Sequence, residues 1–415
     1  MPALASDSLA FIRNAERDHG RLFFIDQGFG ANTLVWTHPD AFSIYKSKLA
    51  SSAYMREAGG TMFGDSVIVQ DGRVHQRMRA VLNGPFTPRG LSTAEIGELI
   101  AAIALPRIAA MMGGEPIAVL HQTRELALDV IFRIIGVGDR DLSEWRQRYQ
   151  DALLLLVNLP LDVPGSPRRR GQRGKAWVDG RLRALIETER TRGPGATLLS
   201  ALVHGRGEAG EVLSDEELID NLRLLMLAGH ETSASTLAWM IGLLAEHPRT
   251  WDRLVEEARA LGHVPTTPAE LRALPFAEAV FREALRLYPP VAFDARTIEG
   301  DAELEGRHVP AGTRVGIPLM HLSRHPEREA RPDDFWPERW LDRGALGPLE
   351  LMQFGGGPHF CLGYHLAWME IVQVAAALAL EAHRRGKRPV LVGPPASPRY
   401  LPLLHPSSTL RVAFH

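Results

Sequence analysis

One cysteine is present in 415 residues, Cys361, and it lies in Phe354-Gly355-Gly356-Gly357-Pro358-His359-Phe360-Cys361-Leu362-Gly363. A single thiol closes no internal disulfide and is too few for a zinc cluster or an iron–sulfur centre. Most lone cysteines are inert, buried small hydrophobes. Here the flanks argue for more. Three consecutive glycines and a proline make an irregular loop whose backbone can approach a bulky flat partner closely. Downstream, Leu366, Ala367, Met369, Ile371, Val372, Ala375 and Leu378 form an apolar-rich stretch that reads as a helix. Cys361 is thus expected at a helix N-terminus, where free N–H groups and the helix dipole favour thiolate over thiol. A thiolate in a water-poor loop suits a soft or borderline metal, and haem iron with one cysteine ligand fits.

Other residues are spaced for chemistry. A predicted helix from Glu216 to Leu244 carries Ala228-Gly229-His230-Glu231-Thr232-Ser233 at its middle. Such polar groups are costly unless something uses them, or unless Thr232 bonds back one turn and Glu231 meets water. Glu283 and Arg286 share a face of a helix that Pro289-Pro290 ends, so they can pair. His75 and Arg79 stand one turn apart on a helix expected from Asp71 to Leu82. Arg73 and Arg77 lie about 200° round that helix from them, at ~100° per residue. His321 and His325 form a His-x3-His pair that could share a metal. No acidic or cysteine partner is taken to complete a ligand set with them, so they are read as unrelated polar histidines. Gly28-Phe29-Gly30 is followed by strand-like residues and is not a dinucleotide loop.

The cysteine segment resembles the haem-binding loop of the cytochrome P450 family, F-x-x-G-x-[HR]-x-C-x-G. Phe354, Gly357, His359, Cys361 and Gly363 match every fixed position. Ala228 to Ser233 match the family's oxygen-activating pattern A-G-x-[DE]-T-[ST]. Glu283-x-x-Arg286 with Pro337-Glu338-Arg339-Trp340, and His75-x-x-x-Arg79, match two more motifs in the family's order. The resemblance spans essentially the whole chain. It implies one domain over residues 1–415, mainly α with minor β, in the P450 fold: a triangular helix-rich prism with small antiparallel sheets. It also implies haem b, iron protoporphyrin IX, with the Cys361 thiolate as axial ligand.

Residue roles follow from the same resemblance. Thr232 would hydrogen-bond bound dioxygen and Glu231 would relay protons from solvent, although aspartate is commoner there. Ala228 and Gly229 would face the cofactor, Gly229 letting the helix wall come close, while Phe354 and Gly363 frame the ligand loop. His75, Arg79, Arg296 and His359 would hold the propionates. Glu283, Arg286 and Arg339 would form a structural triad bracing the cysteine loop. For the substrate, the positions implied are Met62 and Phe63 in the loop before His75, then Leu224, Leu225 and Ala228. Val291, Ala292 and Phe293 follow the double proline, and Leu403 and Leu404 come from the C-terminal turn. Nearly all are apolar, so a bulky neutral lipophile such as a terpenoid or steroid is expected. Leu153 to Val157 followed by Pro160 to Gly174 resembles the family's mobile lid, with Arg168, Arg169 and Arg170 solvated.

The implied reaction inserts one oxygen atom from O2 into an unactivated C–H bond. No flavin, nicotinamide or iron–sulfur segment is encoded, so electrons would come from a ferredoxin and an NAD(P)H-dependent ferredoxin reductase. Arg73 and Arg77 then read either as a solvated face or as a dock for an acidic electron carrier. Alternatives with the same fold are a peroxygenase, a non-oxidative haem enzyme, and a non-catalytic haem-binding partner. The first two tend to lose the Glu231-Thr232 pair, and the third the cysteine.

Bulk properties agree. Hydrophobic residues at 45% and charged ones at 23% describe a globular chain with a large core. A net charge of -2 gives no support for nucleic-acid binding. Met1 to Gly20 is polar and mixed in charge, and no apolar run reaches the ~18 residues of a membrane span. A cytoplasmic monomer without an anchor is expected. Leu22–Ile25 and Thr33–Trp36 predict a hairpin, with short late strands at Ala302–His308, Arg314–Ile317 and Leu410–Phe414. Helices are expected over Val119–Val137, Ala152–Val157 and Trp177–Glu189.

Overall fold

Helix formation in this chain is governed by caps at the ends and burial in the middle, as its longest helix shows. In a computed structural model, which describes residues 7–26, 32–157, 163–400 and 403–415, that helix covers 32 residues, Asp215–Glu246. Ser214 and Glu217 close a capping box at its start, and Asp215, Glu216 and Glu217 place three acids at the positive end of its dipole. From Ser233 to Leu244 every side chain is buried, so the helix is surrounded by protein.

The helices that matter below are α1 (Ser8–His19), α2 (Ala53–Phe63), α3 (Gly72–Leu82), α4 (Ile96–Met111) and α5 (Val119–Ile134). They continue with α6 (Pro167–Arg192), α7 (Asp215–Glu246), α8 (Pro275–Leu287), the single turn α9 (Leu319–Leu322) and α10 (Tyr364–Arg384). α7 packs against α5 and α6, and α10 against α4. α10 is long and apolar enough to cross a membrane by composition, contrary to expectation. However, 83% of its most apolar window is buried within the molecule, which makes it a core helix.

Strands are short. β1 (Leu22–Asp26) and β2 (Asn32–Trp36) form the expected hairpin; its turn lies outside the described residues. The other strands are β3 (Ala50–Ser51), β4 (Ile117–Ala118), β5 (Asp294–Ile298), β6 (Ala302–Leu304), β7 (Arg307–Val309) and β8 (Arg314–Ile317). β9 (Pro389–Leu391), β10 (Pro398–Arg399), β11 (His405–Pro406) and β12 (Arg411–Phe414) complete the set. The main sheet runs β1-β2-β8-β5-β3, and β2 pairs with β8 in parallel, Leu34 opposite Val315. Its other pairs are antiparallel, as are β4-β12-β9 and the two small hairpins.

The segment read as a lid is different here. Leu154–Val157 make a 3-10 turn, Pro160 and its neighbours fall outside the described residues, and Pro167 to Gly174 are already the first turns of α6. A Cβ at Gly174 would stand 2.6 Å from the Ala152 backbone nitrogen. That glycine serves close packing of α6 on the preceding helix and is not a hinge.

Candidate active site

The cysteine loop is built on glycine geometry and aromatic packing. Gly357 has φ +59, and a Cβ there would lie 2.0 Å from the Tyr45 carbonyl oxygen, so no other residue fits. Cys361 N–H donates to the Phe354 carbonyl (2.9 Å), which folds the loop back on itself. The Phe354 ring meets Tyr364 edge-on at 4.8 Å, and the Tyr364 hydroxyl accepts from Arg282 (3.0 Å). Burial pushes the Cys361 thiol up, with the Gly363 N–H and the Arg79 guanidinium acting against it. Because α10 begins only at Tyr364, its dipole does not outweigh desolvation. The sequence expectation of a free thiolate is therefore corrected: binding of a metal must draw off the proton.

Cys361 lines an apolar cavity of about 330 Å³, together with His75, Arg79, Arg296, Phe354, His359 and Gly363. Arg79, on α3, has no hydrogen-bond or ion-pair partner among the described residues, and burial lowers its pKa. A desolvated guanidinium without an anion is costly, and a carboxylate of a bound cofactor would satisfy it. Arg296, on β5, is held by Asp294, with Nη1 3.0 and 2.9 Å from the two carboxylate oxygens, and lies over the Tyr45 ring. Tyr45 donates to the same carboxylate (2.7 Å). His359 Nε2 lies 3.0 Å from Ser52 Oγ and 3.1 Å from Asp71 Oδ1, and its ring centroid is 4.2 Å from that of His75. A thiol, an unpaired guanidinium and two imidazoles on one apolar cavity fit a flat, dianionic metal macrocycle.

α7 supplies a wall of that cavity through Leu224, Leu225, Ala228, Gly229 and Thr232. Thr232 Oγ1 donates to the Ala228 carbonyl (2.5 Å), the back-bonding arrangement weighed from the sequence. A Cβ at Gly229 would stand 2.9 Å from Ile131 Cδ1, so the glycine also lets α5 approach α7. Glu231 is neither on a wet face nor among the cavity residues: it is buried, accepting from Arg124 Nη2 (3.0 Å) and Nε (3.3 Å).

Of the remaining substrate positions, Val291 lines the cavity, and six do not. Met62 ends α2 inside the main core, where its carbonyl accepts from Arg223 (2.8 Å), and Phe63 folds over Gly59. Strand alternation explains Phe293: Asp294 and Arg296 face the cavity, whereas Phe293 lies over Gly316 against the β1–β2 hairpin. The Ala292 carbonyl accepts from Met320 N–H (3.0 Å). Leu404 packs with Trp239 and Met320, and Leu403 beside it stays off the cavity wall.

Glu283, Arg286 and Arg339 do meet. Arg339 Nε is 3.0 Å from Glu283 Oε1, and Trp340 Nε1 is 2.8 Å from Oε2. Their remaining bonds go to residues 323–336, not to the cysteine loop. The loop is reached indirectly, through the Phe281 ring of α8 against Phe354 at 6.4 Å.

The sequence reading passed over Glu370. It lines the cavity from α10, is 3% exposed, and burial raises its pKa to about 8, opposed by Ser233. Its signal was available as the one acid inside the Leu366–Leu378 apolar run.

Residues 5–381 match the family model described as Cytochrome P450. The chain is 39% identical over 416 residues to the Cytochrome P450 BJ-4 homolog of Sinorhizobium fredii, covering 100% of this chain and 93% of that protein. It is 31% identical to the cyclooctat-9-en-7-ol 5-monooxygenase of Streptomyces melanosporofaciens, over 77% of this chain and 72% of that one. The structure of retinoic-acid-bound cyanobacterial CYP120A1 matches with a TM-score of 0.85 at 25% identity, covering 98% of this chain and 94% of the other. Motifs, fold and whole-length likeness agree, and the chain belongs to the cytochrome P450 family, as a haem-thiolate monooxygenase.

Proposed function

We propose that this monooxygenase hydroxylates a bulky, neutral, lipophilic molecule of terpenoid or steroid type. Electrons come from a separate ferredoxin, reduced by an NAD(P)H-dependent ferredoxin reductase, in the cytoplasm. The observation that carries the substrate class is the cavity lining. Its basic side chains are His75, Arg79, Arg296 and His359, all needed at the cofactor edge, and burial raises the Glu370 carboxyl to about 8. No lining cation remains among the described residues to hold a substrate carboxylate. The similar proteins named for cyclooctat-9-en-7-ol and retinoic acid handle lipophiles as well.

Haem bound at Cys361 would supply the dioxygen activation; the chain's own residues position, shield and donate. Arg79, His75 and His359 would hold the cofactor's carboxylates, with Arg296 oriented for them by Asp294. Leu224, Leu225 and Val291 exclude water and seat the substrate. Thr232 keeps a hydroxyl proton at the cavity wall, released from the Ala228 carbonyl by a side-chain rotation. Glu231, bridged by the half-exposed Arg124, links that turn of α7 to solvent.

The test is a spin-state titration of purified holoenzyme with a panel of terpenoids, steroids and charged amphiphiles. Neutral lipophiles should shift the iron from low to high spin and be hydroxylated with ferredoxin, reductase and NAD(P)H. Shifts confined to charged ligands, or spin-shifting lipophiles that are never oxidised, would overturn the reading.

A further inference from the structure

The acid nearest to His321 and His325 in sequence, Glu327, is paired with Arg21, but the fold supplies another. Glu16, on α1, His321, on α9, and His325, just past it, each offer a ligand atom, and these atoms lie within 4.8 Å of one another. His321 is 5% exposed, and both its ring nitrogens lack a hydrogen-bond partner. Its Nε2 is 3.1 Å from Glu16 Oε2, yet out of line for a hydrogen bond. A buried imidazole left unsatisfied beside a carboxylate calls for something between them.

The neighbours suit a cation. Glu16 Oε1 accepts from the Thr37 hydroxyl (2.8 Å), which fixes the carboxylate and leaves Oε2 facing His321. His325 Nδ1 accepts from the Glu327 N–H (3.3 Å), which frees Nε2. The nearby cations are spoken for: Arg13 pairs with Asp333 (2.8 Å) and Arg21 with Glu327 (2.5 Å). The two rings stand 5.7 Å apart at 74°.

We propose that Glu16, His321 and His325 form a binding site for a divalent first-row transition metal such as zinc, which pins α1 to the body of the protein. Two imidazoles and one carboxylate form a borderline donor set, and water completes a four-coordinate shell. None of the three residues lines the haem cavity, so the ion would be structural.

Untagged, haem-loaded protein is stripped with a chelator, dialysed against zinc, and assayed by elemental analysis and thermal melting. One zinc per chain and a raised Tm are expected, with Glu16→Gln and His321→Ala each weakening binding by more than about 10-fold. His383→Ala, an exposed histidine elsewhere, should bind normally, and haem per chain should be unchanged throughout. No retained zinc in the parent protein, or equal zinc in the parent and Glu16→Gln, overturns the site. Should His321→Ala fail to fold, Glu16→Gln decides alone, because Glu16 is partly exposed on α1.

Discussion

Arg286 presents Nε and Nη2 to the two carboxylate oxygens of Glu283, each at 2.9 Å, where neither side chain reaches solvent. Arg339 and the Trp336 and Trp340 N–H groups saturate the same carboxylate. Such a pair adds little over an apolar replacement of both partners, but removing one strands the other. Glu283→Ala leaves the buried Arg286 guanidinium without a carboxylate, Arg339 keeping only Glu329 (3.0 Å), and should cost about 3–5 kcal/mol. Urea denaturation with haem content as a second readout checks this; a loss under ~1 kcal/mol would refute it.

Thr232→Ala removes a hydroxyl whose bond stays within α7, so stability should change little, by less than the ~1 kcal/mol of a typical hydrogen bond. Turnover should change much more. Product per NAD(P)H consumed should fall and hydrogen peroxide should rise. Unaltered coupling would remove Thr232 from proton handling.

Glu370 sets a pH dependence of stability. Its carboxyl is raised from the ordinary 4.5 to about 8, so the native state holds a proton that the unfolded chain releases. That contribution is full below pH 4.5 and is lost as pH rises through about 8. Glu370→Gln should flatten the fall in stability across this window, by an amount on the order of a few kcal/mol at its upper end, with Tm following it. Parallel Tm–pH curves for the two proteins would contradict the assignment.

Arg77 is not a free docking group, as the face containing it suggested. It is bonded to Glu217 and to the Val212 carbonyl (2.9 Å), which ties α3 to the capping box of α7. Arg77→Glu should therefore lower Tm by setting two carboxylates together. Arg73, which is exposed, remains the candidate contact for an acidic carrier. Arg73→Glu should slow reduction by ferredoxin at low salt and leave Tm unchanged; equal rates would end that role.

Local pattern carried the elements and the motifs. The alternation and turn residues near Leu22, the capping signals before Asp215 and the glycines before Cys361 were all legible. Direction was not. Phe293 and Val291 are equally apolar in sequence, and only the path of the bend that leads into β5 decides which faces the cavity. Partners distant in sequence were equally hidden. Arg124 on Glu231, Tyr45 on Asp294 and Glu16 beside His321 arise from packing that no single segment encodes.

The parallel pairing of Leu34 with Val315 has a consequence for biosynthesis. Roughly 280 residues separate the two strands, so at about 5–20 residues per second the amino-terminal hairpin emerges some 15–60 s before its mate exists. During that interval one edge of the ribbon is bare, and Phe24, 65% exposed even in the finished protein, makes it sticky. Nascent chains are thus most vulnerable to chaperone capture at their leading end, and heterologous yield should respond to slower translation or cooler growth.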